Sequence, residues 1–360
     1  MRTISCYKIL LVLAAMTLMA ACHSDAYEQE LEGHQLIKFP IVLTSQQTGG
    51  AGEELVPPTC IYLWAVLNMT PEGQEAPTTY MFHRRIDNGS WDKMTPTGDG
   101  QDQPTLSLAM NIILDVGASK RFRIPSGENA AGDGSYTVGY VYALATKFDI
   151  DEFIPQDMTD SVRIDPQGMK HALQSLQDIT LDLARLQELL ADGELVDDMP
   201  QGESGFSQFI STLYSTPSAL MLQYAKVISR EDNFYLLQAA PNVQLQPCAA
   251  VVDCSWDLPE EKGSQLKSIK LHQLPSQLRV FDAKNNPKDK TYECIILSQT
   301  LGEGVNSLSP DSRYKGATSA YVLQPASGQI AYTLTTADGT RTDGVATRSQ
   351  DNRYKIEIGK

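Results

Sequence analysis

Apolar residues recur at every second position in one stretch after another of this chain, the period of a strand with one buried face. Ile37, Phe39, Ile41 and Leu43 form the first such run. Gly49, Gly50 and Gly52, with Pro57 and Pro58, interrupt it. Cys60 to Leu67 (CIYLWAVL) is apolar at odd and even positions alike, as expected of a central strand covered on both sides. Tyr80, Phe82, Arg84 and Ile86 alternate and lead into the turn signal Asn88-Gly89. Leu106, Leu108, Met110, Ile112 and Leu114 make the cleanest alternation of all. Phe122 with Ile124, and Tyr136, Val138, Tyr140, Tyr142 and Leu144, add two more runs. The first third thus predicts strands separated by turn-rich gaps, the pattern of a sandwich or barrel.

The period changes after about Asp149. Asp165-Pro166 suits a helix start, with Pro at an early helical position. Leu173, Leu176, Ile179, Leu183, Leu186 and Leu190 follow at spacings of three and four, predicting one helical face about twenty residues long that packs on a core. Gly193 is a suitable stop. Phe206, Phe209, Ile210 and Leu213 predict a shorter helix ending before Pro217, after an acidic loop over 192–203. Strands then return. Cys248, Ala250, Val252, Cys254 and Trp256 share a face; 266–271, 278–281, 292–297, 320–323 and 330–334 are strand-like; Tyr354, Ile356 and Ile358 close the series. The expected fold is mainly β, with two β-sandwich (transthyretin-like) domains over 36–233 and 234–360 and a helical segment around 165–215. A length of 360 residues agrees with two domains.

The chain opens differently. Arg2 and Lys8 flank the start of a short apolar run from Ile9, closed by Leu18-Met19-Ala20-Ala21-Cys22. A basic start, an apolar core, small residues and then Cys make a secretory signal of the lipoprotein kind. An ordinary signal with an incidental Cys is the competing reading. The run is too short to span a bilayer. The expectation is a signal segment over 1–21, acyl chains such as palmitate on Cys22, and an acidic tether over 22–35 bearing Asp25, Glu28, Glu30 and Glu32. The rest of the chain would then lie outside the cytoplasm.

Removing Arg2 and Lys8 with the signal takes the net charge from -15 to -17. So acidic a surface argues against nucleic acid and against electrostatic docking on anionic lipid, leaving membrane attachment to acyl chains. Of six cysteines, Cys60, Cys248, Cys254 and Cys294 remain once Cys6 and Cys22 are assigned. Four permit two disulfides in three connectivities. Cys248 and Cys254, six apart on one strand, sit about 20 Å from each other and cannot pair there. Cys254 with Cys294, or Cys60 with another, stays open beside the plainer reading of four buried thiols.

Motifs of catalysis are absent: no GxSxG, Walker A, HExxH or Rossmann fingerprint occurs. There is no CxxC and no His pair at ligand spacing, so no metal or cofactor is expected. Gly132-Asp133-Gly134 is a turn rather than a calcium loop. Carboxylate pairs for glycoside hydrolysis need not be near in sequence, and 44 acidic residues single out none. His83, beside Arg84 and Arg85, reads as the solvent face of a strand, with a small basic site as the alternative. Among Trp64, Trp91 and Trp256, only Trp91 is expected to be exposed for stacking on a sugar.

A lipoprotein signal, an acidic tether and two successive β-domains resemble the fimbrillin-like lipoproteins of Bacteroidota, the subunits of type V pili. Residues 248–281 (CAAVVDCSWDL, then LKSIKLHQLPSQLRVF) are similar to the opening strands of that family's C-terminal domain, 352–358 (NRYKIEI) to its closing strand, and 136–144 (YTVGYVYAL) to a strand of its N-terminal domain. The resemblance covers the chain loosely from about Leu36 onward. The acidic residues after Cys22 are also similar to signals that send lipoproteins of this phylum to the surface of the outer membrane.

The resemblance implies a non-enzymatic subunit of a fimbrium that supports adhesion to a host protein or glycan. In that family an early strand is cut away, usually after an Arg, and the opened groove takes a strand from the next subunit. Backbone hydrogen bonds give affinity in such strand addition and alternate side chains fill pockets. This chain departs from the pattern. No Arg lies between Arg2 and Arg84, and Lys38 is the only Lys between Lys8 and Lys93. Retention of the first strand fits an anchor or accessory subunit. The competing function is a surface glycan-binding lipoprotein of a polysaccharide-uptake system. A 36–44 strand at a sheet edge favours the pilus; a cleft of coplanar aromatics favours the sugar.

Overall fold

The structure is a computed structural model that describes residues 34–44, 57–94, 107–117, 122, 139–155, 158, 162–164, 169–183, 185, 209–216, 220–222, 224–231, 234–261, 263–282, 291–298, 313–325, 327–349 and 353–359. Strand-forming alternation dominates them. The first part of the chain supplies β1 (His34–Thr44), β2 (Cys60–Met69), β3 (Thr78–Ile86), β4 (Asp92–Met94), β5 (Ser107–Asp115), β6 (Gly139–Thr146), β7 (Val162–Ile164), helix α1 (Met169–Gln177) and β8 (Thr180–Asp182). β9 (Tyr214–Ser215), β10 (Leu220–Leu222), β11 (Tyr224–Glu231), β12 (Phe234–Ala240) and β13 (Val243–Pro247) follow. One layer runs β4-β5-β1-β12-β11. The facing layer runs β7-β3-β2-β6-β9, with β10 also on β6. β13 joins the layers, pairing with β1 and with β9.

β2 shows why two layers form. Ile61, Leu63, Ala65 and Leu67 enter the core against β1 and β5, while Tyr62, Trp64 and Val66 enter a second core on the other side. An all-apolar run belongs where both faces are covered, and CIYLWAVL is so placed. The second core is closed by α1, by Phe209 and Ile210, and by residues from the last third of the chain. Trp64 Nε1 donates to the Met158 carbonyl at 2.9 Å, which satisfies a polar atom at full burial.

The last third forms a second sandwich. Its strands are β14 (Ala249–Asp257), β15 (Leu266–Pro275), β17 (Thr291–Ser298), β18 (Lys315–Leu323), β19 (Gln329–Thr336), β20 (Arg341–Thr347) and β21 (Arg353–Ile358), while β16 (Gln277–Arg279) pairs instead with β8. A three-stranded sheet β18-β14-β21 faces a four-stranded sheet β17-β15-β19-β20. Val252, Cys254 and Trp256 of β14 meet Ile269 and Leu271 of β15 and Leu334 of β19 between them. Trp256 lies over Gly316, its cross-strand partner, where any Cβ would collide with the indole. Phe281 crosses to the first sandwich, with its ring 4.8 Å from Tyr142 and 5.7 Å from Trp64.

Two expectations change. The long helix is interrupted: α1 stops at Gln177, the short strand β8 pairs with β16 and buries Leu181, and helical residues resume at Leu183 and Arg185. Spacings of three and four ran across Leu176, Ile179 and Leu183 while an alternation of two lay inside them. Residues 234–247, expected to begin the second domain, instead hydrogen-bond to the first strand as β12 and β13, so the second sandwich begins at β14. The stretches 1–33, 186–208 and 123–138 lie outside the described residues, and with them the signal, most of the tether, Ile124, Gly132-Asp133-Gly134, Tyr136, Val138, Leu186, Leu190 and Phe206.

The shared aromatic core predicts one cooperative unit. Phe281→Ala is expected to cost about 3–5 kcal/mol and to lower the unfolding midpoint of both sandwiches together. Denaturation followed by Trp fluorescence and far-UV circular dichroism checks this; a variant that melts in two separate steps with the first sandwich unaffected contradicts it.

Candidate functional site

The first strand is the feature with most functional content. His34–Lys38 pair in parallel with Phe234–Gln238, and Ile41–Leu43 pair in parallel with Val243–Leu245. On the other side Leu36–Thr44 pair antiparallel with Asp115–Ser107. Ile37, Phe39, Ile41 and Leu43 point into the core, and Phe39, Ile41 and Leu43 are fully buried. Pro40, which has no N–H to donate, sits where the parallel ladder is interrupted, opposite the break between β12 and β13. The entering end is pinned by Gln35: its side-chain amide donates to the Phe122 carbonyl at 2.8 Å and accepts from the Phe122 N–H at 2.8 Å. Phe122 packs edge-on against Tyr80 at 4.9 Å.

A 36–44 strand at a sheet edge was the arrangement that would favour a pilus, and the structure does not meet that criterion. β1 is internal, because β12 and β13 occupy the side left open in the reading of residues 234–247 as second-domain strands. Taking β1 away would bare two ladders and an apolar slot between them.

Cys22 lies outside the described residues. Cys60, Cys248 and Cys254 carry free thiols. They are held apart by the layers: Cys60 is in the core behind β2, Cys254 inside the second sandwich, and Cys248 at the junction with its Sγ 3.1 Å from Ser215 Oγ. Cys294 is on β17, in register with Leu271 of β15. Burial pushes the Cys60 thiol up to about 11 and those of Cys248 and Cys254 up to about 12.

His83, Arg84 and Arg85 do not form one basic site. His83 is buried and stacks on Trp64 at 5.0 Å. Arg84 turns to the opposite face and donates to the Ile113 carbonyl. Arg85 binds Asp87 and Asp149, each at 2.8 Å, and Asp151, and lies over the Tyr62 ring. The Tyr62 hydroxyl donates to Asp151 at 2.9 Å, and burial raises its pKa. These groups cap the end of the core beside β2.

Trp91 is also not free: its Nε1 donates to the Pro58 carbonyl at 2.6 Å, and its ring packs on the first core. Trp64 and Trp256 are buried, so the three indoles offer no common platform. On β15, His272 Nδ1 is 2.9 Å from Glu293 and Nε2 is 2.8 Å from Thr333 Oγ1. Hydroxyl, imidazole and carboxylate are the parts of a nucleophilic triad. Here Thr333 donates its proton to Asp343 at 2.6 Å, so His272 does not serve as its base. Hydrogen bonds from Lys270 and His272 hold the Glu293 carboxyl below the usual carboxylate range. Among the described residues no group of three or more His, Cys, Asp or Glu is placed to hold a metal, and no helix is long and apolar enough to cross a membrane.

No family model matches the chain, and no curated protein matches it in sequence. Solved structures do resemble it. The tip fimbrial protein Mfa3 of Porphyromonas gingivalis, truncated at its C-terminus, is 10% identical, with 87% of this chain and 83% of that one covered at a TM-score of 0.42. A putative cell adhesion protein of Parabacteroides distasonis is 9% identical over 87% and 82% at a TM-score of 0.35. A fimbrilin of Porphyromonas gingivalis is 11% identical over 86% and 74% at a TM-score of 0.35.

The thiols give a prediction. At about pH 8 a thiol reagent should leave Cys60, Cys248 and Cys254 unmodified until denaturant is added, because ionisation is disfavoured in place. Rapid labelling of any of them in the native protein, read by peptide mass spectrometry, contradicts this. In the unfolded chain these thiols ionise near 9.0, below their folded values. Their contribution to stability is therefore full below pH 9 and is lost as pH rises toward 12.

Proposed function

We propose that this chain is a lipid-tethered cell-surface protein that acts as an anchor or accessory subunit of a type V pilus and supports adhesion, joining its partners by strand addition. The observation that carries the reading is the placement of β1. It is the first strand among the described residues, it lies between β5 and β12–β13, and it fills an apolar slot with four alternate side chains. That is the geometry in which one strand can substitute for another, since ladder and pockets are both provided.

The same placement favours retention of β1 here, and while β1 is retained its slot takes no partner strand; strand addition at this slot requires that β1 first be removed. Lys38, the only Lys or Arg between Lys8 and Arg84, is paired on both sides, with Gln238 and with Ile113. A protease must first pull the surrounding residues out of two ladders. A retained β1 keeps Cys22 and its acyl chains joined to the folded body, which suits a subunit that holds a fibre to the outer membrane. The glycan-binding alternative loses its one specific support with Trp91 bound to Pro58.

Two experiments test the proposal. Cys22→Ala is expected to move the full-length protein from the membrane fraction to the soluble exported fraction; unchanged membrane association contradicts the lipid tether. Deletion of residues 22–44 is expected to yield a protein that associates with pilus subunits and that a synthetic peptide of residues 34–44 returns to monomer. Monomeric behaviour of the deletion variant on size-exclusion chromatography with subunits present contradicts strand addition.

A further inference from the structure

Among the described residues three strand pairings are parallel: β1 with β12, β1 with β13, and β14 with β21. Every other pairing between named strands is antiparallel. The parallel pairs are not scattered. β12, β13 and β14 follow one another with breaks only at 241–242 and 248, so the chain that flanks β1 in the first sandwich becomes the central strand of the three-stranded sheet in the second.

Direction along this path matters. A pull that enters ahead of His34 draws β1 toward its own N-terminal end. The body resists through β13, whose C-terminal end runs through Cys248 into β14. Two parallel strands pulled at opposite ends slide along each other, so their hydrogen bonds and the side chains between them are loaded together. Two antiparallel strands pulled in the same way part at one end and their bonds break in turn. The second sandwich repeats the arrangement: β14 is held at its N-terminal end by the first sandwich, and β21, in register from Val251↔Arg353 to Trp256↔Ile358, is pulled at its C-terminal end.

The joint between the two pairs is fixed. The Cys248 N–H donates to the Leu213 carbonyl at 2.9 Å, and Ser215 Oγ donates to the Val280 carbonyl at 3.1 Å. Phe281 is wedged between Tyr142 and Trp64. On the strand β1 itself, Ile37, Phe39, Ile41 and Leu43 must leave the core before it can slide, and β5 holds its other edge over nine residue pairs.

We propose that the chain is built to carry tension from its N-terminal tether to its C-terminal end through two parallel-strand shear clamps in series, β1 on β12–β13 and β14 on β21. The direction of load rests on the tethered reading above; the clamp geometry does not. Forced separation is governed by the unfolding barrier rather than by equilibrium stability, so the device appears in a pulling experiment and not in a melting curve.

Single-molecule force spectroscopy on residues 23–360 tests it by changing only the direction of pull. In the shear arrangement, handles are attached ahead of His34 and after Lys360. In one peeling arrangement the first handle is kept and the second is placed, as p-azidophenylalanine, at Asp115, which pairs with Leu36 at the entering end of β1. Glu231, in register with Phe234, serves if the Asp115 variant does not give a native circular dichroism spectrum. In the other peeling arrangement the C-terminal handle is combined with one at Lys315, beside the Asp257 end of β14. The expected result is a rupture force severalfold higher in the shear arrangement than in either peeling arrangement. A shear rupture force equal to or below either peeling force overturns the proposal. The comparison involves no lipid and no pilus subunit, so its failure is separable from failure of the Cys22→Ala release.

Discussion

The insertion of β1 between β5 and β12–β13 is the constraint on which the first sandwich depends. Without it β5 and β12 have no partner on their inner sides, and the core between the layers loses Ile37, Phe39, Ile41 and Leu43. Parallel pairing with β12–β13 also ties the start of the chain to residues some two hundred positions later. Contacts of that range reward the chain only after a large loop has closed, so this layer is a product of the whole first domain and not of any local hairpin.

Two consequences reach the second sandwich. β12 and β13 are held by β1, and β14 continues from them into the second sandwich. The central strand β2 then adds a side-to-side link. Its even residues form a core that the second domain helps to close with Phe281, Leu278 and Leu323. Inter-domain contacts of ordinary polar character permit relative motion. An aromatic core shared by both sandwiches opposes it.

Much of this was legible in the sequence, and the reasons are specific. β1, β2, β3, β5, β14, β15, β17, β19 and β21 lie where alternation or a continuous apolar run placed them, and β1, β2, β3, β5, β14, β15, β19 and β21 each bury apolar side chains on at least one face. β20 was missed because Arg341–Thr347 is almost wholly polar, an outer strand with little to bury. The single helix over 173–190 is broken at 180–182, because Ile179, Leu181 and Leu183 also satisfy an alternation of two and pairing of Thr180–Asp182 with β16 decided it; residues 173–177, Leu183 and Arg185 are helical as expected, and 186–190 lie outside the described residues. The internal position of β1 was beyond any local pattern. Alternation states which side chains are buried, and it is silent on which strands lie to left and right. Trp91 is half-buried for a related reason, since its partner, the Pro58 carbonyl, is distant in sequence.

Hydrogen–deuterium exchange along β1 tests the central claim most directly. If β1 is an integral strand clamped on both edges, the amides of 36–43, Pro40 apart, exchange only when the whole molecule unfolds, as slowly as those of β2. If those amides exchange far faster than β2 under native conditions, β1 leaves its slot locally, and the account of a retained, load-carrying first strand is contradicted.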